Sequence, residues 1–251
     1  MTSAQMEEIS KNTPSDLIEG LLPSSNVAVL AGMPGLGKSF VALSWAAAIA
    51  EGSAWFGHAT RQAPVVYVFG EGWRSFPRRI KAWETVNGRP MSEQVHFVDG
   101  SVFGFGLDLK DEAKVQQFIA AIADVQPGLV IFDSFSTLAL VHNENDNAEV
   151  AQVMRNMNKI VQATGTTAVL THFVTKTKRS ICVRGAGMFV YSPDTVIIAD
   201  NDINTVGPDG SFALTTDNEL GGKRRDGTPI TLHGFYVAQS GVLDRLTYPR
   251  I

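Results

Sequence analysis

Cysteine is almost absent from this sequence: Cys182 stands alone, so no disulfide can form within the chain. Lack of that cross-link suits a reducing compartment, and a cytoplasmic location is expected. Long apolar runs are also missing, and none approaches the about 20 residues that span a bilayer. Residues 1–12 are polar and lack the basic-then-apolar order of a secretory leader, so no membrane association is expected. Nor is there an excess of positive charge: 21 Lys and Arg face 25 Asp and Glu, for a net charge of −4. That excludes a surface coated for nucleic acid, while leaving room for local basic loops. What remains, 44% hydrophobic and 18% charged residues in a chain of 251, is enough to build the core of one α/β domain.

The chain is organised around Gly32-Met33-Pro34-Gly35-Leu36-Gly37-Lys38-Ser39. This stretch follows the apolar run Val27–Ala31, expected as a buried strand, and leads through Phe40 into an apolar run to Ala50, expected as a helix. Strand, glycine-rich loop, Gly-Lys-Ser and helix form the context that a P-loop requires. Glycines let the backbone curl so that its N–H groups face phosphate oxygens, and the helix N-terminus adds partial positive charge. Lys38 is then expected to reach the β- and γ-phosphates, and the Ser39 hydroxyl to ligate Mg²⁺. By chance, such a match arises on the order of once per hundred chains of this length.

Further strands are expected at 65–69, 95–98, 129–133 and 167–172, alternating with helices over 75–86, from about 111, and after the polar loop 142–147. From Asp194 onward the pattern changes to strands at 195–198, 211–215 and 230–237, separated by Gly/Asp/Pro turns. The fold class is therefore α/β, with a mostly parallel sheet flanked by helices and antiparallel C-terminal strands. Residues 1–17 read as a flexible N-terminal arm and 18–251 as one domain, with Leu17, Ile18, Leu21 and Leu22 docking the arm onto the first strand.

In such sheets the ligand sits beyond the carboxyl ends of the strands, so polar residues there are site candidates. Asp133 ends an apolar strand and suits a carboxylate organising the Mg²⁺ shell; the alternative is a turn-capping aspartate. Ser134 could join that shell. Glu71, between Gly70 and Gly72, suits a group that orients or deprotonates water; the alternative is a solvated turn. His172 is either a sensor of the γ-phosphate or a structural histidine.

This constellation resembles the RecA-like ATPases, and within them the RepA-type hexameric replicative helicases and related phage AAA-family ATPases. The resemblance covers roughly residues 20–240 and rests on Gly32–Ser39, Val65–Gly72 with Arg79 on the helix that follows, Val130–Ser134, Leu170-Thr171-His172 and Arg184–Gly187. Two positions depart from the family pattern: Phe173 replaces the second member of a common His-His pair, and Gly185-Ala186-Gly187 replaces Gly-Ser-Ser. The resemblance implies a RecA-like P-loop fold, ATP and Mg²⁺ as cofactors, Glu71 as general base and Asp133 as the Mg²⁺-shell carboxylate. It places Arg79 near the nucleotide, unless that side chain is simply solvated. Lys223 and Arg225 resemble the Lys-x-Arg pair that such hexamers extend into a neighbour's site; the alternative is a basic hairpin turn. The loops after the Walker-B and sensor strands, 137–147 and 174–193, would face single-stranded DNA. In the second, Lys176, Lys178, Arg179 and Arg184 would supply phosphate contacts, unless this is only a solvated basic loop. The expected activity is a DNA motor in plasmid or phage replication, assembled as a homo-oligomeric ring with possible replication partners. A recombination or annealing ATPase and a nucleotide-regulated scaffold are the alternatives.

Overall fold

The computed structural model describes residues 2, 3, 5, 16–72, 74–101, 106–176, 181–201, 212–217, 222–224, 229–237 and 242–245. Its frame is one mixed sheet. β1 (Val27–Gly32) is buried along its whole length, and the chain turns through the glycine-rich loop into α1 (Lys38–Glu51). β2 (Val65–Phe69), α2 (Phe76–Asn87), β3 (Val95–Asp99), α3 (Glu112–Ile122) and β4 (Leu129–Asp133) follow in alternation. Then come a single turn α4 (Phe135–Leu138), the long α5 (Asn147–Thr164) and β5 (Thr167–Lys176). The remainder is β6 (Ile181–Val183), α6 (Met188–Tyr191), β7 (Thr195–Asp200), β8 (Phe212–Thr215), β9 (Lys223–Arg224), β10 (Thr231–Val237) and β11 (Leu243–Arg245).

The strand order is β11-β10-β8-β7-β1-β5-β4-β2-β3, with β6 paired to β5 and β9 to β7. β3, β2, β4, β5, β1 and β7 run parallel, and β8, β10 and β11 extend the sheet antiparallel. The expected fold class is the observed one. Packing explains why the parallel strands read as continuous hydrophobic runs: both faces are covered. Ala28 and Leu30 pack with Val41, Trp45 and Ile49 of α1 on one face. Val27, Val29 and Ala31 pack with Phe118 of α3 and with Val153, Met157 and Ile160 of α5 on the other. Asp111 and Asp146 cap α3 and α5, each accepting from two backbone N–H groups of the first turn.

Leu17, Ile18, Leu21 and Leu22 are all buried and join the core face that carries α1. Of the expected arm, residues 1, 4 and 6–15 lie outside the described residues. Three features were not expected from sequence. The segment after His172 continues the strand and folds back as the β5–β6 hairpin, so part of the expected 174–193 loop is sheet. Ser134 starts the short α4 with a reciprocal cap to Thr137. Lys223, expected either to extend into a neighbour's site or to lie in a hairpin turn, is instead in a strand with Arg224, paired with Val196 and Thr195 of β7.

Candidate active site

The strand order fixes the site before any side chain is considered. β2, β4, β5 and β1 are consecutive neighbours, so the residues at their carboxyl ends come together along one edge. From β2 comes Glu71, from β4 Asp133, from β5 His172, and from β1 the glycine-rich loop. A cavity of about 270 Å³ there is lined by Lys38, Ser39, Phe40, Glu71, Asp133 and His172, with Arg79 and Phe173 at its wall. A larger cavity, about 370 Å³, lies at the far end of α1 among Trp55, Trp83 and Arg89, with Glu51 bonded to Arg89 beside it. It contains no phosphate-binding loop, and chemistry, not volume, selects the smaller one.

Gly35 and Gly37 have φ of 77° and 103°, a region that side chains disfavour, and this lets the loop curl into the first turn of α1. Lys38 is folded back over that loop: its Nζ donates to the carbonyls of Gly32 and Met33 at 2.9 and 3.0 Å. Burial pulls its pKa down to about 8, against the pull of Asp133 upward, and Arg184 lowers it further. The Lys38 ammonium and the Arg184 guanidinium both lie over the Phe173 ring, 4.6 and 4.7 Å from its centroid. The ring that replaces the second histidine is thus a contact for two cations.

Asp133 is buried and its two carboxylate oxygens are each held by a neutral hydroxyl. Tyr67 donates to Oδ2 at 2.8 Å and Thr171 donates to Oδ1 at 2.7 Å. A lone hydroxyl buried without a partner costs about 1–3 kcal/mol, so the phenol of Tyr67, itself fully buried, requires this acceptor. Burial, and then Asp133, raise the Tyr67 pKa well above its ordinary value and keep the phenol protonated. Neither Tyr67 nor Thr171 was found by sequence reasoning; the available signal was a hydroxyl at position 67 within Val-Val-Tyr-Val-Phe and another at 171 within Val-Leu-Thr.

Glu71 is exposed and lines the cavity, and its carboxylate makes no hydrogen bond or ion pair among the described residues. Gly70 before it has a packing reason: a Cβ there would sit 2.2 Å from Thr137 Oγ1. Arg79 of α2 lies over the rings of Phe40 and Phe76, at 5.4 and 5.9 Å. His172 stacks on Phe189 with ring centroids 4.2 Å apart, and its Nε2 lies 3.0 Å from the Arg184 carbonyl. With Nε2–H donating to that carbonyl, Nδ1 is a buried acceptor with no partner among the described residues. Burial is the main reason its pKa falls to about 4, so the ring is neutral.

The remaining sequence candidates are more dispersed. Arg184 is bonded to Glu144 through Nε and Nη2 at 2.9 and 3.0 Å. Lys223 donates to the carbonyls of Val190, Tyr191 and Pro193 at 3.2, 3.1 and 2.7 Å, at the end of α6. Lys176 ends β5, opposite Ile181. Lys178, Arg179 and Arg225 lie outside the described residues.

The model of the AAA domain matches residues 2–179, the portion that carries the loop, Glu71, Asp133 and His172. The chain belongs to the AAA domain family. This AAA domain has a RecA-like P-loop fold: it is similar to a solved ATPase domain, with a TM-score of 0.65 and 14% identity over 97% of this chain and 96% of that one. No curated protein matches it. No helix among the described residues is long and apolar enough to cross a membrane.

The donor set of this AAA domain fits Mg²⁺. No group of three His, Cys, Asp or Glu able to cage a metal occurs among the described residues. Mg²⁺ is ordinarily held by one or two carboxylates with water and substrate phosphates, and a Ser39 hydroxyl and Asp133 carboxylate on one cavity match that habit.

Proposed function

We propose that this AAA-type ATPase domain is a motor that hydrolyses ATP and acts on single-stranded DNA, a RepA-type hexameric replicative helicase of plasmid or phage type. The observation that supports it most is the shared cavity: Lys38, Asp133, Glu71 and His172, from four different parts of the chain, line one space at adjoining strand ends. Lys38 leaves its two carbonyl partners for the β- and γ-phosphates, while the loop N–H groups hold the remaining oxygens. Ser39 and Asp133 are the residues that would hold Mg²⁺, whose contribution is to neutralise charge on the phosphates. Glu71, untethered at the cavity, takes the proton of the attacking water. Arg79 and Phe40 flank the nucleotide. His172 reports the state of the γ-phosphate to Arg184 through the hydrogen bond to its carbonyl.

The basic set Lys176, Lys178, Arg179 and Arg184 would contact DNA phosphates, and Arg225 would act on a neighbouring subunit's nucleotide. Lys223 resembles the other half of that Lys-x-Arg pair, but its ammonium is bonded to three carbonyls of its own chain, and its part is to hold the end of α6 in place. A second reading is an ATPase that binds or anneals strands without unwinding them; under either reading Arg184 must leave its ion pair with Glu144 to reach a phosphate. ATP-dependent strand displacement on a forked duplex separates the two. The motor predicts displacement that Glu71→Gln abolishes; DNA-stimulated ATPase without displacement supports the second reading.

A further inference from the structure

Asp133 is fixed from both sides by strands that flank its own. β4 lies between β2 and β5, with Ile131 opposite Tyr67 and Phe132 opposite Leu170. Thr171 therefore stands level with Asp133 on the next strand. Tyr67 stands two residues lower on the other side, a distance its ring can span to bring the phenol up to the carboxylate. Side chains alternate along strands, so Tyr67, Asp133 and Thr171 share one face, the face covered by α1.

The choice of donors matters. Each carboxylate oxygen accepts one neutral O–H and keeps lone-pair capacity for a further partner. Among the described residues no lysine or arginine forms an ion pair with Asp133, so its negative charge stays available to a cation. Packing does not call for the phenol oxygen: the Tyr67 ring already meets Phe76 and Phe97 at 5.0 and 5.9 Å. The phenol oxygen also lies 3.5 Å from the carbonyl oxygen of Ser39. With its single proton committed to Asp133, that approach is a contact and not a second hydrogen bond. It nevertheless sets the two residues that would hold the metal against the same side chain.

We infer that Tyr67 and Thr171 are positioning residues that lock the Asp133 carboxylate with its open face toward the metal of a bound metal–nucleotide complex. The inference rests on the reading of Asp133 as the Mg²⁺-shell carboxylate. Partners of this kind fix ligand orientation, and losing one typically weakens metal binding by about 10- to 100-fold.

The test is a titration of the ADP-bound 251-residue chain with Mn²⁺, the free ion being read by electron paramagnetic resonance. ADP affinity in EDTA reports the phosphate cradle without the metal. Tyr67→Phe and Thr171→Val, both close in shape to the native residues, are each expected to weaken Mn²⁺ binding by about tenfold or more with metal-free ADP affinity unchanged. Thr171→Ser, which keeps the donor, is expected to restore it. Wild-type Mn²⁺ affinity in both Tyr67→Phe and Thr171→Val overturns the inference. Asp133→Asn separates the two levels: if it weakens Mn²⁺ binding and the hydroxyl variants do not, the positioning role alone fails. If Asp133→Asn leaves Mn²⁺ affinity unchanged, the metal reading of Asp133 fails and takes the inference with it. Should one variant not fold, as judged by loss of ADP binding in EDTA, the other decides.

Discussion

Arg184 holds Glu144 in a two-pronged ion pair, Nε and Nη2 donating to the two carboxylate oxygens at 2.9 and 3.0 Å. The same stretches meet again through the backbone, where the Ala186 N–H donates to the Glu144 carbonyl at 2.8 Å. The loop after β4 and the segment after β6 are thereby joined, and His172 links that junction to the nucleotide cavity through the Arg184 carbonyl.

Removing the carboxylate charge should expose what the guanidinium is for. Glu144→Gln is expected to cost no more than about 1 kcal/mol of stability, because the pair is partly solvated. On the DNA-binding reading it should raise affinity for an oligothymidylate at low salt and steepen the slope of log K against log salt by about 0.7, as one more phosphate contact forms. Fluorescence anisotropy over a salt series measures this. An unchanged slope would remove Arg184 from the DNA-contacting set.

The lowered pKa of Lys38, about 8, makes nucleotide binding proton-linked. Phosphates favour the charged ammonium, so binding should draw a proton from solution once pH exceeds about 8, and affinity should fall as pH rises through that value. Calorimetry in two buffers of different ionisation enthalpy reads the uptake directly. Near neutrality, where the free ammonium is already protonated, Lys38 should contribute no uptake.

His172 makes stability itself depend on pH. Its pKa falls from 6.5 to about 4 on folding, so between those values the unfolded chain binds more protons than the native one. Stability therefore rises with pH across that window, and the neutral buried ring is a liability in acid. His172→Gln should narrow the difference in unfolding free energy between about pH 7 and about pH 4.5, measured by urea denaturation. An unchanged difference would mean that the ring can accept a proton where it lies.

Lys223 separates structure from catalysis. Its ammonium bonds three carbonyls at the end of α6, so Lys223→Met is expected to lower unfolding free energy by about 1–3 kcal/mol. Turnover per folded molecule should then remain close to wild type. Wild-type stability with lost turnover would instead favour the role in a neighbouring subunit's site.

How much of this could be read from residues alone follows a physical divide. The loop Gly32–Ser39, the strand ending in Asp133 and the helix that starts near Asp111 are local patterns, and local patterns are what sequence displays. Glu71 and His172 were also legible, because strand-end positions in an open sheet share one edge. The Tyr67–Asp133–Thr171 arrangement was not, since it depends on which strands become neighbours and in what register. The inward turn of Lys223 was hidden for the same reason: its partners lie 30 to 33 residues away. The β5–β6 hairpin was missed because basic residues at 176–179 interrupt the strand pattern.

The proposed hydrolysis of ATP at the Lys38 cavity, with Glu71 activating water, is read by the steady-state turnover of Glu71→Gln beside its ATP affinity. Turnover is expected to fall by about 10²- to 10⁴-fold while ATP binding is retained, as for loss of a general base from an intact phosphate cradle. Wild-type turnover in Glu71→Gln would show that Glu71 does not activate the water.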